Sequence, residues 1–317
     1  MSNTYTPEGT RLVTTENTES IRSQAGLERA MIMGKILEAP VLLCDNKMRL
    51  HVDLFGIDGI IEKSEAVYSP TGEPSKDIAV ITRVGKPVCF KVISIEQQNG
   101  RTVARLSRKE AQRECMENFI SHLQCGDIIP AKVTHMESFG AFVDIGCGII
   151  SLLSIDCISV SRISHPRDRL EVGMPIRVAV KIIDNTTQRI FVSMRELLGT
   201  WEQNAAEFEV GQTVAGIVRS VEPYGIFIEL APNLAGLAEL RSDGYATAAE
   251  KMIGQTTAVY IKSILPERMK VKLAMVDAHH SDIRKMPIRY YIEDTCQHLN
   301  YWRYSPEGAS KLVETVF

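Results

Sequence analysis

The 317-residue chain is poor in several things, and each shortage closes off a class of function. Its seven cysteines, at 44, 89, 115, 125, 147, 157 and 296, include no Cys-x-x-Cys pair. That pattern argues against a zinc site and against a disulfide-stapled framework, so a reducing compartment is expected. The stretch from Met1 to Gly26 is polar and lacks an apolar signal core, and no window approaches 18 uninterrupted apolar residues. On that basis the sequence reads as cytoplasmic, without a membrane segment. Positive charge is not in excess: 36 Lys and Arg face 39 Asp and Glu, for a net charge of −3. A polyanionic partner must therefore meet a local basic face. There is no Gly-rich phosphate loop followed by Lys-Ser/Thr, no His-Glu-x-x-His, no nucleophile elbow and no acidic cluster with two-metal spacing. No catalytic residue, cofactor or metal is expected. Aromatic residues make up only 6% of the chain, so any that recur at fixed positions carry information.

They do recur. Gly126-Asp127 and Ser138-Phe139-Gly140-Ala141-Phe142-Val143-Asp144 return as Gly211-Gln212 and Pro223-Tyr224-Gly225-Ile226-Phe227-Ile228-Glu229, at a constant spacing of 85 residues. A period that long indicates an array of small domains rather than a solenoid. From Gly173 onward the spacing falls to 81, with Arg189 matched to Lys270 and Ser193 to Ala274. One connection in the third copy is therefore four residues shorter, and such changes belong in loops. A weaker first copy runs through Val52–Ile61 and Gly85–Arg108, with Met48 and His51 in the aromatic slots. This copy is expected to keep the fold and lose much of the binding.

Alternating runs dominate, so the expected fold class is mainly β: small closed sheets joined by short helices at residues 108–123 and 194–208. A lead-in helix is expected through Ile21, Leu27 and Met31. The expected domains are a flexible arm with a short helix (1–29), a degenerate barrel (30–109), a linker helix (110–124), a barrel (125–196), a second linker helix (197–209), a third barrel (210–276) and an aromatic-rich extension (277–317).

Strand parity then decides which side chains face water. Ala141, Val143 and Ile145 share one face, as do Ile176, Val178, Val180 and Ile182 in a later strand. In the third copy Ile226, Ile228 and Leu230 point inward, followed by Val259, Ile261, Val271 and Leu273. Phe142 and Phe227 must then point outward, each with a second aromatic, Phe139 or Tyr224, three residues earlier. Flat aromatic surface in water suits base stacking, which tolerates any sequence. The same parity turns Arg177, Lys181 and Arg189 outward in the second copy and Lys262, Lys270 and Lys272 in the third, where they can track phosphates. A lone outward aromatic more often packs on a neighbouring domain. Two copies with the same spacing and the same basic slot favour nucleic acid.

These residues resemble the S1 RNA-binding domain family, named for ribosomal protein S1 of the bacterial small subunit. The matching positions are Gly126-Asp127, Ser138 to Asp144, Ser164-His165-Pro166, Val172-Gly173 and Arg189-Ile190-Phe191-Val192-Ser193. The resemblance covers roughly residues 30–276, strongest in the second copy. It implies tandem five-stranded OB-fold barrels that bind single-stranded RNA through two aromatics, a His after the third strand, and an Asp and an Arg near the last hairpin. Carried over, these are Phe139, Phe142, Asp184 and Arg189, with Tyr224, Phe227 and Lys270 in the third copy. The His slot holds Ser154, with Glu239 and Glu62 in the other copies, and Pro266 stands in the Asp slot of the third. The loop residue His165 is expected to reach RNA.

The tail beyond Ala278 holds Tyr290, Tyr291, Tyr301, Trp302 and Tyr304 among basic residues, and is expected to fold onto the third barrel. His279, His280 and His298 are expected to be structural or solvated. The function that follows is non-catalytic binding of single-stranded RNA, including mRNA, in translation, with the small ribosomal subunit as a further partner. The alternative is a regulator that docks on ribosome, ribonuclease or RNA polymerase through the degenerate barrel and the tail.

Overall fold

In the computed structural model, the structure describes residues 5–70, 72–184, 186–187, 189–239, 252–281 and 286–317, without the side chains of 277–281. Two short helices lead in, α1 (Thr15–Ile21) and α2 (Gln24–Ile32), each started by a hydroxyl cap: Thr14 Oγ1 accepts from Asn17 N–H and Ser23 Oγ from Gly26 N–H. Such caps satisfy backbone donors that a helix start leaves open. The first barrel follows as β1 (Leu37–Cys44), β2 (Leu50–Leu54), β3 (Ile57–Ile61), α3 (Asp77–Ile81), β4 (Pro87–Gln98) and β5 (Arg101–Ser107). Its order β1-β2-β3-β5-β4 closes on itself, with β3 and β5 parallel and the remaining pairs antiparallel. Asn99-Gly100 joins β4 to β5 with both residues at positive φ, the two-residue turn whose twist matches a hairpin.

After α4 (Arg108–Asn118) the second barrel repeats this plan with β6 (Ile128–Glu137), β7 (Gly140–Asp144), β8 (Ile150–Ser154), β9 (Pro175–Asp184) and β10 (Arg189–Ser193). A short helix, α5 (Trp201–Ala205), precedes the third: β11 (Thr213–Glu222), β12 (Gly225–Ala231), β13 (Leu234–Ala238), β14 (Thr256–Leu265) and β15 (Lys270–Ser281). A two-stranded ribbon, β16 (Tyr301–Arg303) and β17 (Glu314–Val316), ends the chain. The architecture is thus mainly β, with OB-type closed barrels as expected. The connection that is shorter in the third copy is the one between β13 and β14.

Inward parity holds for Ala141, Val143, Ile145, Ile176, Val178 and Val180, and for Ile226, Ile228, Leu230, Val259, Ile261, Val271 and Leu273, all buried. Ile182 breaks it: expected in the core, it is 51% exposed. The cause is a bulge in β9. Val192 pairs with Val180 but Phe191 pairs with Ile182, so Lys181 is left over and the side chains beyond it change face. Equivalent bulges leave Ile93 unpaired in β4 and Lys262 in β14.

Two further expectations change. The segment 194–208 is not one helix: a 3-10 turn at Arg195–Leu198 stops at Gly199, whose φ is +85°, and Thr200 caps α5 anew. The described part of the N-terminal arm is held in place. Ile21, Leu27 and Ala30 join the first barrel's core, and Glu8 is buried.

The chain divides into two compact units, one comprising residues 1–123, 130–132 and 144–150, the other 124–129, 133–143 and 151–317. In the first, Glu8 grips the Arg108 guanidinium through both oxygens, at 2.7 and 3.1 Å. Glu8 also accepts from Cys89 N–H, while its own N–H donates to Asp144 Oδ2 at 2.7 Å. Burial opposes the charge on both partners, yet the pairing wins: Glu8 is held below the ordinary carboxyl range and Arg108 above its own. Asp144 also accepts from Gly146 and Gly148 N–H. A Cβ at Gly148 would lie 1.9 Å from Arg108 Nη2, so only glycine fits there.

Nearby, Glu38 accepts from the backbone N–H of Gly9 and Arg11, but burial pushes its carboxyl up to about 7. Between the ordinary carboxyl range and about 7, the folded state holds a proton here that the unfolded chain releases. Stability contributed by Glu38 is therefore present at low pH and falls as pH rises through that window. Denaturant melts from pH 5 to 8 are expected to show this decline in the wild type and a shallower one in Glu38→Gln.

Candidate nucleic-acid interface

The register of each barrel lays one outward side chain from every strand into a row across its surface. In the third barrel the row reads Ser220, Phe227, Leu237, Lys272 and Ser263, each paired with the next. In the first it reads Leu43, His51, Ile60, Arg105 and Ser94. In the second the counterparts are His135, Phe142, Leu152, Phe191 and Ile182, with Leu152, Phe191 and Ile182 paired in sequence. Gly140 abuts Leu152 and Leu153 as Gly225 abuts Leu237 and Ala238, which aligns the two hairpins.

At one end of two rows stands the expected aromatic pair. Phe139 is 54% exposed and meets Phe142 edge-to-face, ring centres 6.0 Å apart at 89°. Tyr224 is 63% exposed and meets Phe227 in the same way, 6.2 Å apart at 88°. The inner ring of each pair is half-buried on its strand, and the outer one stands on the turn before it. Edge-to-face contact lets the positive rim of one ring meet the negative face of the other, so each pair holds its shape before any ligand arrives.

The polar residues expected around these pairs behave unequally. Lys181 and Lys262 sit at the equivalent bulges; Lys262 is exposed, and Lys181 donates to Cys157 Sγ at 3.0 Å. Arg189, Lys270 and Lys272 are exposed, with Arg189 opposite Asp184 in the β9–β10 hairpin. Both oxygens of Asp184 are taken by that hairpin's own turn, from Thr186 N–H, Thr187 N–H and the Thr187 hydroxyl. The Thr187 hydroxyl bond leads in holding this carboxyl below its usual range. Ser154, in the family's His slot, donates to Asp156 at 2.7 Å, and Glu239 in the same slot of the third barrel is exposed.

Two of the expected residues have partners within the chain. His165 caps a 3-10 turn: its Nδ1 accepts from Arg167 N–H at 3.1 Å, while Asp168 accepts from His165 N–H. Its role in the fold is local. Arg177 is claimed by the tail. Its guanidinium donates to Asp294 and to the Glu293 and Cys296 carbonyls and lies 5.8 Å from the centre of the Tyr290 ring. The parity that put it outward was right, but that surface is covered.

The tail lies within the second unit, as does the third barrel. Trp302 and Tyr304 enter the third barrel's core cluster, and Tyr304 OH donates to the Asn233 carbonyl at 2.6 Å. His298 bonds Asp127 at 2.7 Å, a contact that raises its pKa, so it is structural. The side chains of His279 and His280 lie outside the described residues. The same unit holds a buried ion pair, Arg169 with Glu229 at 2.5 Å, both side chains fully enclosed and Arg219 also bonded to Glu229.

The first barrel's face is neutralised from within. Arg105 pairs with Glu62 at 2.9 Å, and Asp45 holds Arg49 and His51. Its bulge carries Ile93 instead of Lys, 52% exposed, and Leu42 and Leu43 on β1 are exposed as well.

Reading by strand parity missed three residues of the second barrel's row. His135 stacks on Phe142, 6.1 Å apart at 22°, with its Nε2 bonded to Glu137 at 2.6 Å. Leu152 and Phe191 extend the row beyond. Register counting across the sheet, rather than along one strand, is the signal that finds them.

A closed OB-type barrel with a preformed outward aromatic pair defines an oligonucleotide-binding module. Residues 123–195 match the family model of the S1 RNA binding domain. The chain is also similar to small ribosomal subunit protein bS1 of Rhizobium meliloti, 29% identical over 196 residues, covering 60% of this chain and 33% of that protein. Its similarity to bS1 of Staphylococcus aureus is 30% over 161 residues, covering 49% of this chain and 40% of that protein. The chain thus matches a third to two fifths of the length of these relatives. Among solved structures it is similar to a multidomain protein with nucleic acid binding domains from Streptococcus pneumoniae, at 14% identity and a TM-score of 0.23, over 77% of this chain and 74% of that one.

If exposed lysines meet phosphates and Arg177 does not, salt titrations of RNA binding separate them. Lys262→Ala is expected to flatten the slope of log affinity against log salt by about 0.7, the value for one phosphate on a single strand. Arg177→Ala is expected to leave that slope unchanged while making the tail more susceptible to proteolysis.

Proposed function

We propose that this chain is a non-catalytic protein that binds single-stranded RNA, mRNA included, and acts in translation with the small ribosomal subunit, in the cytoplasm. The observation that carries this reading is the duplicated aromatic pair, matched to within 0.2 Å and about a degree in two barrels and open to solvent in both. Packing against a neighbour would not require the outer ring of each pair to stand more than half exposed. The relatives named as bS1 support the assignment to translation.

The second barrel is the stronger site, because its lysine and aromatic pair are joined by an apolar row. The third keeps the pair beside Lys262, Lys270 and Lys272, so its binding rests more on charge. Linked sites raise one another's effective concentration, so modest single-barrel affinities add up to avidity. No helix among the described residues is long and apolar enough to cross a membrane.

A second reading applies to the first barrel alone. Exposed Leu42, Leu43 and Ile93, beside ion pairs that cancel its charge, favour a protein-docking face over an RNA face. Cosedimentation with nuclease-treated 30S subunits tests it: Leu43→Asp is expected to reduce ribosome association without changing affinity for free RNA.

For RNA itself, Phe142→Ala and Phe227→Ala are each expected to weaken single-strand binding by about 1–3 kcal/mol, measured by fluorescence anisotropy. Unchanged affinity in both variants would return these rings to a packing role.

A further inference from the structure

The row across the second barrel differs from the other two in one respect: every position is aromatic or apolar. His135 lies face-to-face on Phe142, Leu152 follows, then Phe191, then the exposed Ile182. At the Phe191 register the third barrel has Lys272 and the first has Arg105. At the Ile182 register they have Ser263 and Ser94. Neighbouring strands lie about 4.8 Å apart, so the row is roughly 19 Å long, enough for more than one base.

Among the described residues, three of the polar groups expected beside this row have partners within the chain, while the exposed Arg189 is left to meet phosphate, which RNA and DNA share. Ser154 donates to Asp156, Asp184 is consumed by its turn, and Arg177 is held by the tail. Such a surface ranks bases by stacking area more than by hydrogen bonds to base edges or sugar.

We propose that the second barrel carries an extended stacking track in which His135 and Phe191 add stations on either side of the Phe142 platform, selecting purine-rich single strands without distinguishing RNA from DNA. The inference rests on the RNA-binding reading above and names the ligand class of that site. His135 takes a place on the platform from the first strand of the barrel, where the family pattern would have supplied a histidine from beyond the third. Glu137, bonded to His135 Nε2, fixes the ring against Phe142. Phe191, two strands away, offers a second, separate face.

The test uses the full chain and fluorescein-labelled oligo(rA), oligo(rU) and oligo(dA) of equal length, read by anisotropy. The wild type is expected to bind oligo(rA) and oligo(dA) equally and oligo(rU) more weakly. His135→Ala and Phe191→Ala are each expected to lose about tenfold on the purine strands, about 1.4 kcal/mol, and less on oligo(rU). Phe191→Lys, which installs the third barrel's residue type and so guards against a merely unfolded variant, is expected to steepen the salt dependence and shrink the purine preference. If the wild type binds none of the three strands, the RNA-binding reading itself falls. If Phe142→Ala weakens binding while His135→Ala and Phe191→Ala do not, that reading stands and the track is overturned. Equal affinity for oligo(rA) and oligo(rU), or a strong preference for oligo(rA) over oligo(dA), overturns the proposed selectivity.

Discussion

Closing five short strands into a barrel forces a strict division of labour, and everything this protein presents to a ligand depends on it. Alternate side chains must fill the interior, where Val, Ile, Leu and Ala pack without polar cost. Only the other half of each strand is free to vary, and its members are brought side by side by register rather than by sequence. The three copies keep the same inner face and the same bulge in the fourth strand, and differ in what stands on the outer row. An arginine, a phenylalanine or a lysine at one register changes the surface on offer at constant fold.

Charge plays the opposite part, fixing segments by being buried. The acid at the matching position of the second strand in the later copies, Asp144 and then Glu229, is enclosed in both. Asp144 accepts the Glu8 N–H beside the Glu8–Arg108 pair, and Glu229 accepts from Arg169 and Arg219. Burying such groups is costly, and removing one partner leaves an uncompensated charge in a dry interior. These clusters therefore tolerate little rearrangement, which fixes the N-terminal arm in one unit and the loop bearing Arg169 in the other.

Much of this was legible in the residues. The 85-residue spacing, the inward faces and the outward Phe142 and Phe227 all follow from counting, because strand periodicity is local and the repeat supplies its own control. What failed was set by longer-range events. Ile182 lay beyond a bulge, which no single strand announces. Arg177 pointed outward as expected, but whether a segment more than a hundred residues later would cover it is a tertiary fact. His165 looked like a reaching loop histidine, yet its ring nitrogen was needed to start a turn. The buried Glu8 was hidden in a polar stretch whose composition suggested mobility, since a lone acid gives no sign that an arginine a hundred residues on will meet it.

The placement of Trp302 and Tyr304 bears on the order in which the molecule is made. A chain emerges from the ribosome N-terminus first, and domains fold as they appear. The third barrel departs from that order, because part of its core arrives only after its last strand, β15, and the segment that follows. Until then Trp201 lacks the Tyr304 carbonyl that its N–H donates to, and the Asn233 carbonyl lacks the tyrosine hydroxyl. The hydrophobic core of the first barrel is complete by Leu106, since α1 and α2 precede it. Maturation is thus staggered along the chain: the hydrophobic core of the copy that lacks the aromatic pair can close early, while that of the lysine-bearing third copy waits for Trp302 and Tyr304.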